Sequence, residues 1–167
     1  MRFFAAAFLI FIPSITLGNE RAIEGEVIVP VNVATAWNAW TTEEGITSFF
    51  APAARIDARP DGAFEIWFDP SQPRGMRGAD GMRFLAVDPM NMISFTWNAP
   101  PQFPNVRKQR THVVVRFEKL SDSSTRVTLR HDGFGQGEEW DGVFAYFERA
   151  WKELVLPAFA KGVSGKD

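Results

Sequence analysis

His131 is the side chain that the sequence alone places best for moving a proton. It closes an alternating run with Val127 and Leu129, so its ring is expected to face inward as theirs do. The functional reading is a polar contact to a ligand or an acid–base group, which needs hydrogen-bond reach to a substrate and a pKa near the working pH. Asp132 follows it, and Gly133, Gly135 and Gly137 then give a turn into a helix. No Ser nucleophile or conspicuous acid stands beside it by motif. The favoured reading is therefore a core-edge histidine whose ring bonds a backbone carbonyl and fixes that turn. The other histidine, His112, alternates onto the face opposite Val113 and Val115, toward solvent. The chain has no Cys, which excludes thiolate nucleophiles, zinc ribbons and disulfides together. Two histidines do not make a His-rich metal site, and neither a metal nor another cofactor is expected. The sequence holds no phosphate-binding loop, dinucleotide fingerprint or nucleophile elbow. Catalysis is the less favoured class of function.

Charge narrows the field further. Eighteen basic residues face twenty acidic ones, a net charge of −2 that gives no broad attraction for nucleic acid. The one dense basic run is Arg107-Lys108-Gln109-Arg110, read as a solvated hairpin end rather than a phosphate site. It follows a Pro-rich loop, Ala99 to Pro104, stiff enough to overhang a cavity mouth as a lid. A second loop, Ser71 to Asp80, is polar and Gly-rich without phosphate-binding spacing. The remaining resource is aromatic: sixteen Phe and six Trp against a single Tyr. Ligand pockets are mostly apolar with a few polar groups, so this load fits either a binding cavity or a solid interdigitated core.

The elements that would carry these side chains follow from periodicity. Ile23–Val29 reads as a strand stopped by Pro30. Asn32 is placed to cap a short helix whose Val33, Ala36, Trp37 and Trp40 share one face. Thr42 can cap a second short helix that Pro52 closes. Alternation then marks strands around Phe64 to Phe68, Met82 to Val87, Ile93 to Trp97, Val113 to Phe117 and Val127 to His131, expected as a continuous antiparallel meander. The chain closes on one long helix, from about Glu138 to Lys161. Its apolar stripe is Trp140, Val143, Phe144, Phe147, Trp151, Leu154 and Phe159. Pro157 removes a backbone donor and is expected to kink its final turns.

Residues 1–18 are set apart. Arg2 precedes the apolar run FFAAAFLIFI, and Thr16-Leu17-Gly18 offers small residues for cleavage, the layout of a secretory signal peptide. The run is about half the roughly 20 residues a spanning helix needs. The expectation is a periplasmic or secreted domain, residues 19–167, with no stable membrane insertion after cleavage.

Three stretches, IEGEVIVPVNVATAWNAWTT, DPMNMISFTW and STRVTLRHDGFGQGEEWDGVFAYFERAWKEL, together resemble the START-like SRPBCC superfamily. The likeness is nearest to the group named after the activator of the heat-shock-protein-90 ATPase. It spans nearly all of residues 19–167 in the right order, through motifs that are largely structural. The resemblance implies an α+β helix-grip fold. In that fold two short helices follow the first strand of a curved antiparallel sheet of about six to seven strands, and a long C-terminal helix clasps the sheet over a hydrophobic cavity. On that basis Trp37, Phe64, Phe95, Trp97, His131, Phe144, Phe147 and Trp151 are expected to line the cavity. The implied function is binding of a small hydrophobic or aromatic molecule without transforming it. Some members of the wider superfamily cyclise polyketides or perform lyase chemistry in the same cavity, a second reading in which His131 would lead. A third is a protein-interaction module like the eukaryotic co-chaperones. The export signal, the short chain and the lack of a charged docking arm speak against it.

Overall fold

The computed structural model describes residues 21–165, so the segment read as an export signal lies outside the described residues. A run rich in β-branched residues, Ile23–Val29, forms strand β1. Asn32 then caps α1 (Val33–Thr41), its side chain accepting the Thr35 N–H at 2.9 Å. Thr42 repeats the device for α2 (Glu43–Thr47), accepting the Gly45 N–H at 2.9 Å. Each cap satisfies a donor that the first helical turn leaves open. The apolar face of α1 turns Ala36, Trp37 and Trp40 into the core.

Two sheets follow where one continuous meander was expected. β2 (Ala53–Ile56), a strand that periodicity did not single out, pairs with β3 (Phe64–Trp67). β4 (Phe84–Asp88), β5 (Met92–Trp97), β6 (Thr111–Ser121) and β7 (Ser124–Asp132) form the meander, and β1 adds antiparallel to β7. The five-stranded order is β1-β7-β6-β5-β4. Only isolated bridges, Ala63 to Arg83 and Trp67 to Gly78, join β3 to the chain ahead of β4. Asp80 is the physical cause of the break. Its carboxylate accepts the Arg77 N–H at 3.0 Å and pairs with the Arg77 guanidinium, drawing the backbone into a turn. The strand expected from Met82 therefore starts at Phe84.

The C-terminal helix lies across the sheet in three parts: α3 (Glu138–Arg149), a π-helical stretch (Ala150–Val155) and α4 (Leu156–Ser164). Pro157 cannot donate a hydrogen bond, and the turn before it is wider than an α-turn. There the Leu156 N–H bonds the Trp151 carbonyl, five residues back. The wider turn also rotates the residues that follow. Leu154, expected in the apolar stripe, is 60% exposed, and Leu156 is buried in its place. Close approach of α4 to β1 depends on Gly25, where a Cβ would stand 2.6 Å from Leu156 Cδ1. The result is the α+β helix-grip architecture, with its core between sheet and helix. Among the described residues no helix is long and apolar enough to cross a membrane.

Candidate functional site

The helix does not close on the sheet everywhere. A cavity of about 480 Å3 opens between residues 146–155 of the helix, the loop at 97–107 and the loop at 68–79. That volume lies within the range of small-molecule sites. Its wall is a triangle of rings from three separate elements. Phe50, beyond α2, lies 5.9 Å from Trp97 of β5 and 5.6 Å from Trp151 of the π-helical stretch, and the two indoles are 5.9 Å apart. Phe147 stacks beside Trp151 at 6.4 Å. At the mouth, Phe68, Met76, Tyr146 and Leu154 are substantially exposed.

The rim is fastened by polar contacts. Arg107 bonds the Gly75 carbonyl through Nε at 3.3 Å and Nη2 at 2.7 Å, and the Gly78 carbonyl through Nη2 at 2.8 Å. Its Nη1 donates to the Ala99 carbonyl. One guanidinium thus holds two loops that are otherwise separate in sequence. The run Arg107 to Arg110 is therefore no simple solvated hairpin end. Arg107 is half-buried and binds backbone, while Lys108, Gln109 and Arg110 are exposed. The reason is that carbonyls of loops lacking a sheet partner need donors, and Arg supplies five. The Pro-rich loop is tied to α3 as well. Glu139 accepts from the Asn105 backbone at 3.0 Å and from its side chain at 2.8 Å, and Phe103 sits where a Cβ on Gly142 would be, 2.8 Å away. Asn98 donates to the Gly78 carbonyl at 3.3 Å, and Asp69 accepts from Ser71 and Gln72 at the outer edge.

Of the eight residues expected at the cavity, the structure brings together Trp97, Phe147 and Trp151. The other five lie outside its lining, each for a packing reason. Trp37 meets Phe117 edge-on at 5.4 Å, on the far side of the core. Phe64 and Phe95 stack on each other at 3.8 Å, with Phe64 a layer behind Trp97 at 6.2 Å. Phe144 packs on Phe134 at 5.1 Å under the Arg21 guanidinium. His131 is fully buried behind Trp151. Its Nδ1 accepts the Trp151 indole N–H at 2.9 Å, which leaves the proton on Nε2 to be donated to Thr111 Oγ1 at 2.7 Å. The expected carbonyl partner is thus replaced by two side chains. Burial, with the neighbouring His112 adding to it, pushes the His131 pKa down to about 3, so the ring is neutral near pH 7. Among the described residues, neither group bonded to it ionises near neutrality. His112 is partly exposed and pairs with Asp132 at 3.2 Å. No cluster of His, Cys, Asp or Glu suited to a metal ion occurs among the described residues.

Sequence reasoning passed over Phe50, Tyr146 and Arg107. Phe50 carried a signal, an apolar pair with Phe49 just before Pro52. Arg107 carried none, since a basic run reads alike whether its members face water or carbonyls.

The family model described as "Activator of Hsp90 ATPase homolog 1-like protein" matches residues 30–156. Three solved structures share the fold. A protein from Mesorhizobium loti is 19% identical, with 86% of this chain and 94% of that one covered at a TM-score of 0.65. The Aha1 dimer from Colwellia psychrerythraea is 13% identical, covering 88% and 99% at 0.66. An HSP90 activator from Plasmodium falciparum is 18% identical, covering 81% and 91% at 0.63. No curated protein sequence matches this chain.

Proposed function

Because this chain belongs to the Activator of Hsp90 ATPase homolog 1-like family, we propose that it uses the family fold to hold a small apolar or aromatic molecule in the cavity. The observation that carries the reading is the aromatic triangle of Phe50, Trp97 and Trp151 facing about 480 Å3 of space. Rings anchored from three elements lose little freedom when a ligand enters, so the cost of ordering is already met by the fold. Binding without conversion is supported by His131, the first candidate for proton transfer, having both ring nitrogens committed to protein partners. We place the working protein in the periplasm or outside the cell. The support for this is Arg2 and the apolar run of residues 3–12.

Native mass spectrometry of protein taken from its own compartment tests both parts. The expected result is a chain shortened at or near Gly18 that carries a small molecule released on denaturation. Indole N–H signals then locate it, with those of Trp97 and Trp151 moving on ligand addition. An intact cytosolic chain, or a ligand that leaves both signals in place, overturns the corresponding part.

A further inference from the structure

The cavity has one charge that the protein does not answer. Two cations line it, Arg77 and Arg107. Arg77 lies over the Trp67 ring at 4.1 Å and is paired with Asp80 at 2.5 Å. Arg107 has no carboxylate within ion-pair distance among the described residues, and all four of its hydrogen bonds go to backbone carbonyls. The carbonyls solvate the guanidinium without neutralising it, and one of its five N–H donors remains. The charged groups near enough to act on it are Asp80, already committed to Arg77, and Arg110, of like sign. Partial burial and Arg110 push its pKa down, and Asp80 raises it, which is how a guanidinium short of a counter-charge behaves. Asp69, the carboxylate of the lining, is engaged by the Ser71 backbone at 3.1 Å, the Ser71 hydroxyl at 2.6 Å and Gln72 at 3.0 Å.

We propose that the molecule held here carries an anionic group of the carboxylate class, seated against the Arg107 guanidinium, with its apolar body against Trp97 and Trp151. The inference rests on the cavity being a binding site. It adds the ligand's charge and its orientation, head to the loops and body toward the aromatic wall. Ala99, Gly75 and Gly78 hold the guanidinium still before the ligand arrives, and a charge-assisted bond from its one remaining N–H, fixed in place, is stronger than a neutral one. An amide or alcohol of the same shape leaves that charge unmatched.

Isothermal titration of the whole protein with 2-naphthoate and with 2-naphthamide, near neutral pH, separates the two claims. These probes share one apolar body and differ in charge. The carboxylate is expected to bind about tenfold more tightly than the amide, with a salt-dependent affinity. In Arg107→Gln that ratio falls toward one. In Arg107→Lys, which keeps the charge but cannot be held by all the same carbonyls, part of it returns. Thermal melting establishes that each variant is folded, and the ratio in the unaltered protein stands whatever the variants do. Equal affinities for the two probes, or a preference that survives in folded Arg107→Gln, overturn the anionic ligand while leaving an apolar site. Binding of neither probe overturns the site and the inference together.

Discussion

The aromatic side chains between sheet and helix behave differently at the two ends of the molecule. Near α2 and α4, Trp40, Phe49 and Phe159 meet at 5.3 to 5.7 Å, and both Trp40 and Phe159 are fully buried. Near Tyr146 the rings are in contact too, Tyr146 lying 5.2 Å from Phe147, but Phe68, Tyr146 and Leu154 face outward around an opening. Composition does not distinguish these ends, since both are rich in Phe and Trp. What differs is the cover. Helices present a continuous side-chain surface with their backbone groups already paired, so they pack onto the sheet to full density. The other end is covered by two loops whose carbonyls need donors. Arg107, Asn98 and Asp80 supply or organise those bonds instead of filling the space.

That contrast can be attacked from the packed end first. Trp40→Ala removes a fully buried ring from a closed cluster and is expected to cost about 3–5 kcal/mol in urea denaturation. A loss below about 1.5 kcal/mol would mean the cluster is loose and the contrast false.

His131 lies buried behind Trp151 of the open end, and its titration gives the next effect. Its pKa is about 3 when folded against 6.5 for an ordinary histidine, so the unfolded chain takes up the proton first. This contribution is fully present above pH 6.5 and is lost as pH falls from 6.5 toward 3, at about 1.4 kcal/mol per pH unit. Denaturation at steps between pH 7 and 4.5 measures the slope. A His131 ring resonance titrating above pH 5 in the folded protein would show that water reaches it and that the cavity floor is not closed.

Smaller still is Thr111→Val, which keeps the shape and removes the acceptor for the His131 Nε2 proton. The tautomer cannot switch to compensate, because Nδ1 must accept from Trp151. The expected loss is about 1–3 kcal/mol, the cost of an unmet buried donor. A neutral Thr111→Val would place a water where none is expected.

Leu154→Ala at the open rim should change stability by less than about 0.5 kcal/mol, since the side chain is mostly in solvent. Its effect belongs to ligand affinity. A loss above about 1 kcal/mol in the empty protein would show the rim packed shut in solution, and would blur the two ends into one core.

Much of the fold was legible because it rests on local rules. Asn32 and Thr42 cap their helices as their types demand, and alternation placed β1, β5, β6 and β7. β2 escaped because four residues, Ala-Ala-Arg-Ile, alternate too briefly to stand out. Of the site, Trp97, Phe147 and Trp151 could be named in advance, since each has inward parity on its own element. Phe64 and Phe95 have the same parity and lie deeper. Parity gives a side and not a depth.

The sequence by itself determined the element order, the caps, the inward faces and, through resemblance, the helix-grip class, because each depends on neighbours a few residues apart. Only the tertiary structure decided that His131 is spent on Trp151 and Thr111, each twenty residues away. It alone decided that Arg107 reaches carbonyls up to 32 residues distant. Such pairings depend on which unmet donor and acceptor the packed chain leaves within reach, and no local pattern records the outcome of that competition.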